Sequence, residues 1–279
     1  MYTGCAATNV DRDDAEDPMK LTIPMTILAA LGLLPLPPAQ AAQCSTASGE
    51  RTAVLVELYT SEGCDSCPPA DIWLSSLQTG YTRQQVVPLA LHVDYWNYLG
   101  WNDPYAIHEF TKRQRRLLDL KRARVVYTPQ VIVQGDDFRR WSGPEFAAAV
   151  KRINATPPRA GLELRLEAVA PRAFEVVLGA RLLDLAQLKD TVAYLAAYEN
   201  RLTSEVVAGE NRGHTLRHDF VVREWEGPLA FDAGGKIALK KTLPLPPTAK
   251  PRDAGVAAFV QNRATGDVLQ ALMLPPCAG

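Results

Sequence analysis

VLVELYTSEGCDSCPPAD, residues 54–71, decides how the rest of the chain is read. It opens as an apolar run, Val54-Leu55-Val56 followed by Leu58 and Tyr59, in residue types that favour a strand. It closes on Cys64-Asp65-Ser66-Cys67, with Pro68 and Pro69 next. Proline has no backbone N–H and is accepted in a helix only in the first turn, so a helix is expected to begin at or just inside Cys67. Ile72, Trp73, Leu74 and Leu77 give that helix a face to bury. Two cysteines three apart thus sit where a strand runs into a helix. The free N–H groups and positive dipole end of a helix stabilise a thiolate. In that setting Cys64 is placed to attack a disulfide or thiol, and Cys67 to resolve the mixed disulfide.

Outward from this stretch, residues 86–93 (VVPLALHV) are apolar on both faces, as a parallel strand covered by helices requires. Residues 94–104 form an aromatic, turn-rich loop and residues 105–120 a helix. Tyr127-Thr128-Pro129 precede a third strand at 130–134. A turn at Gly135-Asp136-Asp137 leads to a fourth at 138–141. Ser142, with Glu145 three residues on, reads as a capping box for a helix burying Phe146, Val150 and Ile153. The order over residues 50–155 is βαβαββα. Residues 156–160 (TPPRA) read as a linker. Strict alternation in Leu162-Glu163-Leu164-Arg165-Leu166, with further strands at 174–179, 191–198, 215–223, 236–243 and 255–261, suggests an antiparallel β-sandwich of about seven strands over residues 160–279. The expected class is α/β: a βαβαββα domain followed by a β-sandwich domain.

The chain has 279 residues, 47% hydrophobic and 22% charged, with a net charge of -1. That is an ordinary globular composition without the basic footprint of a nucleic-acid binder. Residues 112–124 (KRQRRLLDLKRAR) gather basic groups and read as the solvated face of a helix. Residues 1–41 read as a leader. Met19-Lys20 opens a basic start, residues 21–36 are apolar but broken by Pro24 and Pro35, and Ala39-Gln40-Ala41 fits a signal-peptidase site. The expectation is a periplasmic or secreted protein starting at Met19, with no stable membrane span after cleavage. Cys5 falls in the leader, leaving Cys44, Cys64, Cys67 and Cys277. Four cysteines allow three pairings. The economical one joins Cys64 to Cys67 and Cys44 to Cys277.

The βαβαββα order, the C-x-x-C and Thr-Pro before the third strand together resemble the thioredoxin fold. ELYTSEGCDSCPPAD, HVDYW, YTPQVIVQG, GENRGHTLRHDFVVR and AAFVQ resemble, more narrowly, the secreted thioredoxin-like proteins grouped as domain-of-unknown-function family 1223. The resemblance covers essentially the whole mature chain. It implies a cis Pro129 lying with Thr128 against the two cysteines and holding a substrate backbone. It also makes Glu57, offset by one position, a candidate for the buried acid that moves the resolving cysteine's proton. The alternative for Glu57 is an ordinary strand carboxylate at a solvent edge.

Other readings stay open beside this one. A zinc half-site is disfavoured because zinc normally takes four ligands and no second paired motif is present. Asp65 puts a negative charge beside Cys64 and opposes thiolate formation, while the helix end favours it. His92 is either a base or ligand facing the cysteines or a satisfied core histidine. His214 and His218, four apart in a strand, are either a metal pair or surface residues, the latter being favoured. Tyr95, Trp96, Tyr98 and Trp101 either line a substrate groove or pack as a loop. The first expectation is an exported thiol–disulfide oxidoreductase acting on protein thiols or disulfides, with a redox partner protein and neither cofactor nor metal. The alternative is a periplasmic binding or copper-handling protein, with copper at Cys64, Cys67 and a histidine or with a static disulfide.

Overall fold

In a computed structural model of the chain, residues 43–277 are described apart from 124, 171 and 172. The expected leader and Cys5 lie outside them. The strands before the expected linker are β1 (Gln43–Ala47), β2 (Val54–Thr60), β3 (Val86–His92), β4 (Gln130–Val133) and β5 (Asp136–Asp137). The helices are α1 (Pro68–Gly80), α2 (His108–Leu120) and α3 (Pro144–Asn154). Then come β6 (Ala160–Ala170), β7 (Ala173–Leu182), β8 (Thr191–Glu199), β9 (Leu202–Glu205), β10 (Thr215–His218), β11 (Val221–Ala230), β12 (Lys236–Pro244), β13 (Ala254–Asn262) and β14 (Val268–Leu274). The protein is mixed α/β and mostly sheet.

β2 and β3 run parallel in register, Val54 against Val86 through Thr60 against His92, and β4 lies antiparallel on the other side of β2. α1 and α3 cover one face, with Trp73, Tyr81, Phe138, Trp141 and Phe146 packed edge to face or tilted between them. The β4–β5 turn is tighter than expected. Gln134 and Gly135 both take positive φ, which two-residue hairpin turns demand. A Cβ on Gly135 would stand 2.0 Å from the Gly266 carbonyl oxygen, so only glycine fits. The expected strand at 138–141 is therefore a two-residue β5 further upstream. The expected capping box at α3 also does not form. Gly143 is the N-cap, and Glu145 pairs with Arg140 at 3.0 Å.

The second half does not close a sandwich of its own. The eight-stranded sheet has the order β14-β13-β8-β11-β3-β2-β4-β5, so strands from both sides of residues 156–160 share it. An outer edge on β3 would leave backbone groups unpaired. Val221 at the start of β11 pairs there in parallel with Ala90, and the Ala90 N–H donates to the Phe220 carbonyl at 2.9 Å. The described residues fall within one compact unit. A separate antiparallel sheet, β1-β6-β7-β12, packs on the far half of the large one. Strand β8 shows how. Its Val192, Tyr194, Ala196 and Tyr198 enter the core shared with the helices, while Ala193, Leu195 and Ala197 enter the core shared with the small sheet. A strand's side chains alternate between faces, so β8 divides its residues between two interiors.

α2 is held to the large sheet by a buried ion pair. Arg113 Nε donates to Glu57 Oε1 at 2.7 Å, and its second guanidinium nitrogen donates to Glu57 Oε2 at 3.2 Å and to Gln261 Oε1 at 2.9 Å. The guanidinium also stacks 4.8 to 5.2 Å from the rings of Tyr194, Phe259 and Trp225. Residues 112–124 are thus not a uniformly solvated face, since Arg113 points inward. Cys44 is bonded to Cys277 across 233 residues of sequence, tying β1 to the segment after β14.

Two measurements follow from these ties. In the loop-entropy view, replacing Cys44 and Cys277 by alanine is expected to lower stability by up to about 5 kcal/mol in denaturant unfolding. An unchanged midpoint would show that the crosslink constrains nothing. Glu57→Gln leaves Arg113 as a buried, unpaired charge and is expected to cost about 3–5 kcal/mol, most of it recovered in Glu57→Gln/Arg113→Met. Additive losses in the double variant would mean that the two side chains do not act as a pair.

Candidate functional site

At the end of β2 the chain turns through residues 61–67 and enters α1 with Cys67 as N-cap and proline in the first turn. The Cys64 N–H donates to Ser61 O at 3.2 Å and the Cys67 N–H to Cys64 O at 3.3 Å. The Cys67 carbonyl then accepts from the N–H groups of Ala70 and Asp71. Cys64 and Cys67 are joined as a disulfide with Cα atoms 5.5 Å apart. Both cysteines are 0% exposed, although Asp65 and Ser66 between them face solvent.

The cover comes from the second half of the chain. Residues 206–214, between β9 and β10, lie over the turn. Asn211 is buried and donates from Nδ2 to the carbonyls of Glu62 at 2.9 Å and Cys64 at 2.8 Å. Glu210 Oε2 accepts from the Asp65 N–H at 3.0 Å. Gly209, at φ 75°, comes close enough that a Cβ there would stand 3.7 Å from Gly63 Cα. On another side, Trp96 packs against Gly63, where a Cβ would stand 3.0 Å from Trp96 Cβ. The Trp96 indole N–H donates to Thr128 Oγ1 at 2.8 Å, and the Thr128–Pro129 peptide is cis.

Five buried ionisable side chains form a cluster beside this turn. Glu62 follows β2, Asp71 lies on α1 four residues after Cys67, His92 ends β3, Asp103 precedes α2, and His218 ends β10. His92 Nδ1 and Asp103 Oδ2 are 2.8 Å apart, and His218 Nε2 and Glu62 Oε1 are 3.0 Å apart. Asp71 Oδ2 accepts from Thr60 Oγ1 at 3.1 Å, and Glu62 Oε2 accepts from the Trp101 indole at 2.9 Å. The two imidazoles face each other edge to face, with centroids 5.0 Å apart. Asp71, His92 and His218 each bring one donor atom to within 4.8 Å of the other two.

Electrostatics follows the geometry. Burial opposes charge on His218, but Asp71 and Glu62 outweigh it and raise its pKa to about 10. The His218 Nδ1 to Asp71 Oδ2 separation is 3.8 Å, too long for a hydrogen bond, so Asp71 acts there as a charge. Burial also opposes the Asp103 carboxylate. His92 and the N–H groups of Glu62 and Tyr105 override that and hold its pKa below the ordinary value.

The expected site residues part company here. Cys64 and Cys67 form the centre, and Thr128 is tied to it through Trp96. Glu57 does not join them. Its side chain leaves the opposite face of β2 toward Arg113 and is neither beside the resolving cysteine nor at a solvent edge. Within β2, side chains alternate, so Glu57 and Thr60 face opposite ways. His218 is buried, whereas His214 is exposed and precedes β10, so they are neither a pair nor both surface residues. His92 is half satisfied: Nδ1 has a partner and Nε2 has none. Trp96 and Trp101 are anchored by hydrogen bonds, and Tyr98 is 78% exposed. Glu62, Asp71, Asp103 and Asn211 escaped the sequence reading. The one hint was that Asp71 stands a single helical turn after Cys67.

Among curated proteins nothing matches the chain. Among solved structures, the crystal structure of protein AGR_C_4864 from Agrobacterium tumefaciens is 28% identical, with TM-score 0.59, over 82% of this chain and 96% of that one. HBP35 of Porphyromonas gingivalis is 16% identical, with TM-score 0.58, over 82% of this chain and 76% of that one, a likeness of fold alone. A family model described as "Protein of unknown function (DUF1223)" matches residues 55–261, which include the C-x-x-C turn, the covering loop and all five residues of the buried cluster. The chain belongs to the DUF1223 family.

Proposed function

We propose that the protein is an exported, thioredoxin-like thiol–disulfide oxidoreductase. The observation that carries this reading is the Cys64–Cys67 disulfide at the junction of a buried strand and a helix, with Cys67 as N-cap. Helix N-termini stabilise thiolates, and adjacent cysteines exchange readily between dithiol and disulfide. In the reduced protein, the Cys64 thiolate attacks one sulfur of a substrate disulfide, forming a mixed disulfide and expelling a substrate thiolate. Cys67 then attacks Cys64 sulfur and expels the second substrate thiolate. Two electrons pass from the protein to the substrate disulfide, and a dithiol reductant from a partner protein restores the Cys64–Cys67 dithiol. The reverse sequence oxidises a substrate dithiol. Thr128 and cis Pro129 are the residues assigned to the substrate backbone. The βαβαββα order of β2 to α3 supports the thioredoxin-like comparison, and the Cys44–Cys277 crosslink supports an oxidising compartment.

One observation favours a second reading. Both cysteines are wholly covered, as in a static structural disulfide. In the enzyme reading, residues 206–214 must move aside before sulfur is reached. A redox titration with alkylation and mass spectrometry separates the two. A reversible two-electron transition of Cys64–Cys67 between about -120 and -270 mV is expected. A pair still oxidised well below about -300 mV would be structural, and the enzyme reading would fall. Asn211→Ala releases the carbonyls of Glu62 and Cys64 and is expected to speed alkylation of reduced Cys64. N-terminal sequencing of exported protein tests the leader, and an intact Met1 would overturn it.

A further inference from the structure

We infer that Asp71, His92 and His218 form a binding site for one divalent transition-metal ion of borderline softness, such as zinc. Four buried side-chain polar atoms among the described residues have no hydrogen-bond partner. Three are Asp71 Oδ1, His92 Nε2 and His218 Nδ1; the fourth, Asp253 Oδ1, faces Arg201 in an ion pair. An unpartnered buried polar atom is costly, and native structures keep few. Here three come from three separate elements, α1, β3 and β10, and belong to the residues whose donor atoms lie within 4.8 Å of one another. Asp71 is 5% exposed, His92 0% and His218 2%, so solvent does not supply the missing partners.

The remaining atoms of these side chains are held as metal ligands usually are. Ligating histidines donate their other ring N–H to a carboxylate, which fixes the tautomer and turns the free lone pair to the metal. Asp103 takes this place for His92 at 2.8 Å, and Glu62 for His218 at 3.0 Å. Thr60 holds the second oxygen of Asp71 at 3.1 Å. The orienting groups are themselves held: Asp103 accepts the N–H groups of Glu62 and Tyr105, both at 2.9 Å, and Glu62 accepts from Trp101. Three carboxylates surround two imidazoles, and the carboxylates that favour a proton on His218 favour a cation in its place. Two imidazoles and a carboxylate, without sulfur, suit zinc or another divalent first-row ion rather than copper(I). Ligands of tetrahedral zinc stand about 3.3 Å apart, so the side chains close in on binding. The copper reading at Cys64, Cys67 and a histidine rests on two sulfur donors, which this site does not use. The inference holds whether or not the cysteines turn over.

The test uses the full mature chain with its disulfides intact, stripped with EDTA and titrated with zinc chloride by calorimetry. One saturable equivalent is expected, together with a rise in the thermal midpoint. Asp71→Asn, nearly unchanged in shape, is expected to weaken zinc by about 100-fold or more. Asp103→Asn, which removes the charge that orients His92 without removing a ligand, is expected to weaken it by about 10–100-fold. His108→Ala, at an exposed histidine, is expected to change nothing. X-ray absorption of the zinc-loaded wild type guards against variants that fail to fold: two imidazoles with oxygen and no sulfur are expected. No saturable binding to the folded wild type would overturn the inference. So would sulfur ligands, or zinc affinity unchanged in folded Asp71→Asn.

Discussion

The pairing of β11 with β3 is the contact on which the rest depends. It is short, Val221 against Ala90 with the Phe220 carbonyl accepting from Ala90, yet it closes the exposed edge of the first sheet and continues that sheet into β8, β13 and β14. Because β10 immediately precedes β11, the same pairing sets the β9–β10 hairpin beyond the carboxyl ends of β2 and β3. His218 thereby meets Glu62, 156 residues earlier in the chain, and Asn211 reaches the carbonyls of Glu62 and Cys64. Neither half of the chain contains the site by itself.

Two buried charge centres flank β2 and behave oppositely. On the α2 face, Glu57 and Arg113 neutralise each other, and the remaining guanidinium surface is spent on Gln261 and three aromatic rings. Burial and the neighbouring Glu57 charge also push the Tyr59 phenol well above its ordinary pKa, so it stays neutral and donates to Glu57. That centre is complete. On the α1 face, carboxylates outnumber imidazoles and three polar atoms lack partners. A strand whose side chains alternate can carry a finished ion pair at Glu57 and, three residues on at Thr60, a contact to the unfinished cluster, because the sheet separates them.

The cysteines are joined to the unfinished centre through the backbone. Glu62 stands two residues before Cys64 and Asp71 one helical turn after Cys67, so any movement of the turn is felt at both. Asn211 bonds Glu62 and Cys64 together, which makes the covering loop a shared boundary of sulfur pair and cluster.

Local signals carried much of this. The apolar run into Cys64-Asp65-Ser66-Cys67 and the two prolines determined β2, the start of α1 and the neighbouring cysteines, because strand preference and the missing proline N–H act within a few residues. The alternation of residues 162–166 likewise determined β6. The tertiary structure decided what depends on distant partners: that β11 joins β3 instead of closing a sandwich, that Glu57 turns to Arg113, and that His218 is buried while His214 is not. A carboxylate or an imidazole reads the same in sequence whether it meets water, a counter-charge or another ligand. Its chemistry is set by the groups that folding brings within a few ångströms, and here those groups come from both halves of the chain.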